Sequence, residues 1–271
     1  MEKAMLGPRL RKVIEGGLDL LNLKWVNELV RDSNKLFHAY AARRYGHLRG
    51  KKCLIVGCNR GRDCRYFVRF GAAEVHGVDI IKEIGKDFDH PKVSYHKTSC
   101  ENMEGVPGEA YDLIYCFATM EHIPRIDLAF SEMVRVARPG GVIYVFSSPL
   151  WNSRYGHHHQ HIFTEPWIHL RYEGDELIDH LTSLGIRDIA GGHTMKAIVG
   201  SIFSGKFFNR VPAKEYIDVC DRLRGIQIIK NELSLEEPGL LSPALKSELA
   251  HKGYNEKELL AVSHILVARK R

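Results

Sequence analysis

No apolar run in this 271-residue chain approaches the roughly 18 residues that a membrane span needs. The amino terminus carries basic residues without an apolar h-region, so the expectation is no secretory signal and a cytoplasmic setting. Cysteine is scarce: the six residues Cys53, Cys58, Cys64, Cys100, Cys116 and Cys220 include no Cys-x-x-Cys pair. That spacing argues against a structural zinc site and fits reduced, buried thiols. Long blocks of one charge are absent too, with basic residues gathered only in small clusters at Arg9–Lys12, Arg43–Arg44 and Arg269–Arg271. The formal net charge of +6 permits nucleic-acid binding without demanding it, and suits an acidic or phosphorylated small substrate equally well. There is no internal repeat, no added RNA-binding module and no Asn/Asp-Pro-Pro-Tyr motif of the base-flipping type. Nucleic acid is therefore the disfavoured partner, and a membrane is not expected.

The most informative stretch runs from Lys51 to Asp79. Cys53 to Val56 is a continuous apolar run, as in a strand buried on both faces of a parallel sheet. Gly57, Asn59 and Gly61 then turn the chain. Cys64, Phe67 and Val68 have the spacing of one buried helix face, and Gly71 stands where a helix C-cap is wanted. Val75 to Val78 is a second strand with Asp79 at its carboxyl end. Strand, glycine turn, helix, strand and acid make a mononucleotide-binding βαβ unit. A dinucleotide site would normally add a third glycine for close helix–strand packing, and Arg62 and Asp63 stand there instead.

Three downstream places decide between cofactors. Tyr111 to Cys116 reads as another buried strand, followed by Met120-Glu-His-Ile123. Leu128 to Ala137 is an amphipathic helix, and Arg138-Pro-Gly-Gly141 turns into a strand over Val142 to Phe146. With Val-Gly-Cys-x-x-Gly and Gly-Val-Asp, this order resembles the class I S-adenosylmethionine-dependent methyltransferases, particularly their small-molecule branch. The resemblance covers residues 50–150, and the last strand, Val262 to Arg269, more loosely.

The resemblance implies S-adenosyl-L-methionine as cofactor, held by Gly57, Asn59, Gly61, Asp63, Asp79, Ile80, Ser99, Cys100, Glu101, Phe117 and Ala118. Asp79 takes the ribose hydroxyls, Ser99 and the Cys100 amide face the adenine, and Phe117 and Ala118 leave the fourth strand beside the ligand. Two positions depart from the family pattern. Ile55 stands where an acid is frequent, and Asn59 replaces the middle glycine, though asparagine tolerates positive φ. The methionine ammonium then falls to a carbonyl of Gly57 or Phe117, or to the Asp63 carboxylate. His122 lies where the family often places a histidine beside the cofactor.

After the fifth strand comes Ser147-Ser-Pro-Leu-Trp-Asn-Ser-Arg-Tyr-Gly-His-His-His-Gln-His161, which holds four of the chain's fifteen histidines. Three readings stand for His157, His158, His159 and His161. One of them, or His122, takes a hydroxyl proton as general base. Alternatively His157, His159 and His161, sharing a face if extended, join Glu165 in a divalent metal site that acidifies the acceptor. The third is a polar loop anchored by Trp151, Tyr155, Phe163 and Trp167.

The expected fold is α/β: a Rossmann-like, seven-stranded, doubly wound sheet with a final antiparallel strand. Residues 1–49 are expected as a helical extension, with Leu18, Leu21, Trp25 and Leu29 in helical register and Leu36, Phe37 and Tyr40 more loosely so. Residues 50–192 form the cofactor core and 260–271 its last strand. A helix over Glu173 to Leu184 leads to a sixth strand over Ile186 to Ala190. Residues 193–259, helical over Lys214 to Asn231 and Pro243 to Lys252, are expected as an inserted cap over the substrate, or else as a homodimer contact. The function these expectations assemble is methyl transfer to a small-molecule acceptor, preferably O-methylation of a sugar, glycan precursor or natural product, with an RNA methyltransferase as the alternative.

Overall fold

The computed structural model describes residues 33–186 and 194–271. The chain divides into two compact units, Met1–His47 and Leu48–Arg271. In the first, α1 (Ser33–Arg43) is the described element. Leu18, Leu21, Trp25 and Leu29 lie outside the described residues, while Phe37 and Tyr40 are exposed on α1.

The second unit is built on one seven-stranded sheet in the order β3-β2-β1-β4-β5-β7-β6. β1 (Lys52–Val56) is an inner strand, parallel to β2 (Glu74–Asp79) on one side and to β4 (Tyr111–Phe117), the central strand, on the other. Covered on both faces, β1 and β4 are almost continuously apolar, as their position requires. β3 (Val93–Lys97) flanks β2, and β5 (Ala137–Ser147) flanks β4, both in parallel. β7 (Ala261–Lys270) runs antiparallel to β5 and to β6 (Ile226–Leu235).

α2 (Cys64–Arg69) follows the glycine turn, and α3 (Ile126–Val136) buries Ala129, Phe130, Met133 and Val136 in the main core. A second apolar core gathers the helices beyond β5: α4 (Ile168–Arg171), α5 (Gly174–Ser183), α6 (Met195–Phe203), α8 (Pro243–His251) and α9 (Glu256–Leu260). Trp167, Leu177, Leu181, Val199, Ile202, Leu249 and Leu259 form its centre. α7 (Ala213–Arg222) packs instead on the main core through Tyr216, Val219 and Cys220. None of the described helices is long and apolar enough to cross a membrane.

The structure corrects the sequence reading beyond α5. A strand, Ile226–Leu235, lies inside the segment expected as a helical insertion, while the strand expected over Ile186 to Ala190 falls, apart from Ile186, outside the described residues. The helix expected to reach Asn231 stops at Arg222, and Gly225 at φ +73° redirects the chain into β6. As an outer strand, β6 leaves most of its side chains exposed, so it lacks the apolar run by which the inner strands are recognised. Among the described residues, four helices, α4 to α7, lie between β5 and β6.

Candidate active site

The glycine turn begins where β1 ends. Gly57 has a φ of +73°, and a Cβ built on it would stand 2.0 Å from Thr119 Oγ1, so the turn packs directly on the segment leaving β4. Asn59 has a φ of +50°, the left-handed conformation its residue type tolerates. Its amide donates to Asp79 Oδ2 at 2.8 Å, while the Ile81 amide donates to Oδ1 at 3.1 Å. Two amides therefore aim the Asp79 carboxylate, and each oxygen keeps a lone pair for a ligand hydroxyl. Gly61 at φ +89° lies against Tyr95, whose hydroxyl is 2.3 Å from where a Cβ would be. Arg60 and Arg62 both pair with Asp87 at 2.8 Å through Nε, which ties the turn to the loop after β2. Asp63 is buried just ahead of α2.

The other expected cofactor contacts line the same sheet edge. Ile80, next to Asp79, is an apolar side chain 66% exposed. After β3, Ser99 Oγ accepts from the Glu101 amide at 3.1 Å, and the Glu101 carboxylate accepts from the Arg125 amide at 2.8 Å. Glu101 thereby fastens its loop to the start of α3. Cys100 is buried, and desolvation pushes its thiol up to about 12. Phe117 ends β4, its carbonyl accepting from Thr119 Oγ1 at 3.1 Å, and Ala118 follows at φ +47°.

Beyond Thr119 the chain makes a 3-10 turn over Met120–His122. Glu121 is 2% exposed, and neither carboxylate oxygen has a hydrogen-bond partner. Burial pushes its carboxyl up to about 8; the amides of Glu121 and Ser148 oppose this without completing a hydrogen bond. His122 Nδ1 lies 2.5 Å from Phe207 O, and His158 Nε2 lies 3.2 Å from Pro149 O. A carbonyl can only accept, so each of these nitrogens carries the proton. The free lone pairs are then at Nε2 of His122 and Nδ1 of His158. The two rings meet edge to face at 5.2 Å, and Phe208 packs on both. Burial and the neighbouring His122 pull His158 down to about 4, which keeps it neutral near neutral pH. His158 sits at φ +61°, a conformation costly for a β-carbon-bearing residue and retained where the surroundings enforce it.

The histidine segment does not act as a set. His157 is 0% exposed, packed among Tyr155, Phe163 and His169, and desolvation pulls it down to about 2. Its Nδ1 accepts from the His159 amide at 3.0 Å, so the ring is a structural element of the loop. His159 is half-buried and His161 exposed. The segment is a succession of turns and not an extended run, so the shared face expected of His157, His159 and His161 does not form. Glu165 is taken up by Arg171 and His180, at 2.5 and 2.7 Å, rather than by the loop histidines.

One participant had no sequence signal. Asn209, in the segment after α6, shares the two hydrogens of Nδ2 among Met120 O, Ile123 O and Tyr216 Oη at 2.7, 2.9 and 3.0 Å, and its backbone amide donates to Glu121 O at 3.1 Å. It binds the Glu121–His122 turn from a distance of nearly ninety residues along the chain. Glu121 was legible as the acid beside His122, but its burial without a hydrogen-bond partner was not.

Residues 54–145 match the family model of a methyltransferase domain. A sterol 24-C-methyltransferase of Yarrowia lipolytica is 30% identical over 127 residues, covering 44% of this chain and 33% of that protein. A ubiquinone biosynthesis O-methyltransferase of Nitrosospira multiformis is 29% identical over 154 residues, covering 49% of this chain and 64% of that one. The chain therefore spans about a third of the first relative's length and under two thirds of the second's. An S-adenosylmethionine-dependent methyltransferase structure from Mesorhizobium loti shares the fold, with a TM-score of 0.51, 14% identity and coverage of 85% of this chain and 96% of that one.

Proposed function

We propose that this chain, whose core is a class I S-adenosylmethionine-dependent methyltransferase domain, moves the cofactor's methyl group to a hydroxyl of a small molecule. The observation that carries this reading is the meeting of two features at one sheet edge. The Gly57–Gly61 turn and the amide-aimed Asp79 lie at the ends of β1 and β2, and two imidazole lone pairs lie just past β4 and β5. The first would bind the cofactor; the second would serve the acceptor.

The chemistry asks little of the protein beyond alignment. The sulfonium already activates the methyl: its C–S bond breaks as the C–O bond forms, and sulfur keeps the electron pair. Positioning of acceptor oxygen, methyl carbon and sulfur, with water excluded, supplies most of the acceleration. A hydroxyl must also lose its proton, and the ring nitrogens of His122 and His158 that do not bond Phe207 O and Pro149 O are available for that task. Trp151 and Phe208, buried and packed at 5.6 Å, back the imidazoles with an aromatic wall. The acceptor class this reading favours is a sugar, a glycan precursor or a natural-product scaffold. The relatives named for sterol and ubiquinone biosynthesis support a ring-bearing small molecule over a nucleic acid.

Turnover with methyl-labelled S-adenosylmethionine, screened against hydroxylated rings, glycans and RNA, tests the assignment. Label in a small-molecule ether supports it. Label in RNA, or S-adenosylhomocysteine binding with no acceptor methylated in any class, overturns it.

A further inference from the structure

We propose that Glu121, His122 and His158 form a binding site for a divalent transition-metal ion, with zinc the best match to the ligand set. Each residue offers a ligand atom, and the three atoms lie within 4.8 Å of one another; it is the one such group of three among the described residues. Zinc holds nitrogen and carboxylate oxygen at about 2.0–2.2 Å, which spaces tetrahedral ligands about 3.4 Å apart. Small side-chain rotations would close the set around an ion.

Three independent features point the same way. Glu121 is nine-tenths buried and more, with neither oxygen accepting a completed hydrogen bond, an arrangement that costs free energy unless a proton or a cation answers it. Each imidazole donates its one N–H to a backbone carbonyl, Phe207 O or Pro149 O, leaving its other nitrogen as a lone pair. A ring N–H held by a carbonyl is the usual support of a ligating histidine, since it fixes both tautomer and orientation. Finally, the ligands come from two anchored loops. Asn209 ties down the Met120–Ile123 turn, and His158 is held at φ +61°.

Two nitrogens and one carboxylate favour zinc, iron(II), cobalt or nickel over magnesium or calcium, which prefer all-oxygen cages. Three protein ligands leave a position open for an exogenous oxygen. On the functional reading above, that oxygen is the acceptor hydroxyl. An ion held by Glu121, His122 and His158 would supply Lewis acidity there, lowering the pKa of a hydroxyl that reached it. The imidazoles would then act on the acceptor through the ion. Metal binding itself does not depend on that reading.

The test uses the full chain, stripped with chelator and titrated with cobalt(II), whose visible absorption reports its coordination. The expected result is one equivalent bound with a low-coordinate spectrum, weakened at least tenfold in Glu121→Gln and in His158→Ala. Calorimetric S-adenosylhomocysteine binding by the same variants establishes that they are folded. No saturable cobalt binding by the wild-type chain, or equal binding by folded Glu121→Gln and His158→Ala, would overturn the site. Cobalt binding that survives while no hydroxyl is methylated leaves the site standing and removes the functional reading alone.

Discussion

The Asn59 amide donates to Asp79 Oδ2 at 2.8 Å, so the acid that ends β2 is a fixed part of the turn that ends β1. Twenty residues separate the two in sequence. The bond converts a glycine-poor turn and a strand-terminal acid into one rigid cradle. Asp79→Ala should weaken S-adenosylhomocysteine binding by roughly 1.5–3 kcal/mol, the cost of losing a charged acceptor and freeing the amides it holds. Calorimetry measures it. Wild-type affinity in a folded Asp79→Ala protein would remove this carboxylate from the cofactor site.

Much of this half of the site was legible because its constraints are local. Positive φ at Asn59, an apolar β1 and an acid closing β2 each leave a mark on residues near in sequence. The acceptor half depends on contacts between segments far apart, and those leave none. The alternation of His157, His159 and His161 suggested a shared face, yet a chain of turns buries the first and exposes the last. His158, the residue between, is the one that reaches His122. β6 escaped notice for a related reason: its pairing with β7 is satisfied by backbone, so its exposed side chains were free to be polar.

The antiparallel edge carries its own pH dependence. His264 on β7 is fully buried; its Nε2 lies 2.8 Å from Asn231 Oδ1, its Nδ1 has no partner, and desolvation pulls it down to about 3. The unfolded chain therefore takes up this proton near pH 6.5, well before the folded one does. Its contribution is complete above pH 6.5 and shrinks as pH falls toward 3, by roughly 2–3 kcal/mol at pH 4.5. His264→Phe should flatten the fall in stability between pH 6.5 and 4.5 relative to wild type, measured by urea denaturation. Parallel curves for the two proteins would refute the assignment.

Asn209 separates positioning from binding. It touches the carbonyls of Met120 and Ile123, on either side of Glu121 and His122, and lies away from the glycine turn in the chain. Asn209→Ala should lower kcat about tenfold or more through misplacement of that turn, and leave S-adenosylhomocysteine affinity within about twofold. Asn209→Asp, which keeps the shape but loses the donor, should share most of the defect. Equal losses in kcat and cofactor affinity would mean that the substitution unsettles the whole sheet edge.

The histidine segment yields the sharpest division of labour. His158→Ala and His122→Ala should each lower turnover by roughly 10²–10⁴-fold with cofactor affinity nearly unchanged, if, as proposed, their free ring nitrogens serve the acceptor. His161→Ala should be close to wild type because that ring is exposed, and His159→Ala should lose little more. His157→Ala should act differently from all of them. Removing a ring packed among Tyr155, Phe163 and His169 leaves a cavity, with a loss of about 2–4 kcal/mol in stability and a loosened loop around His158. Its turnover should therefore fall less than that of His158→Ala and recover on cooling. Steady-state kinetics and thermal unfolding on the five single variants distinguish these effects. Full turnover in both His158→Ala and His122→Ala would take the imidazoles out of the chemistry, leaving alignment by the sheet edge to account for catalysis.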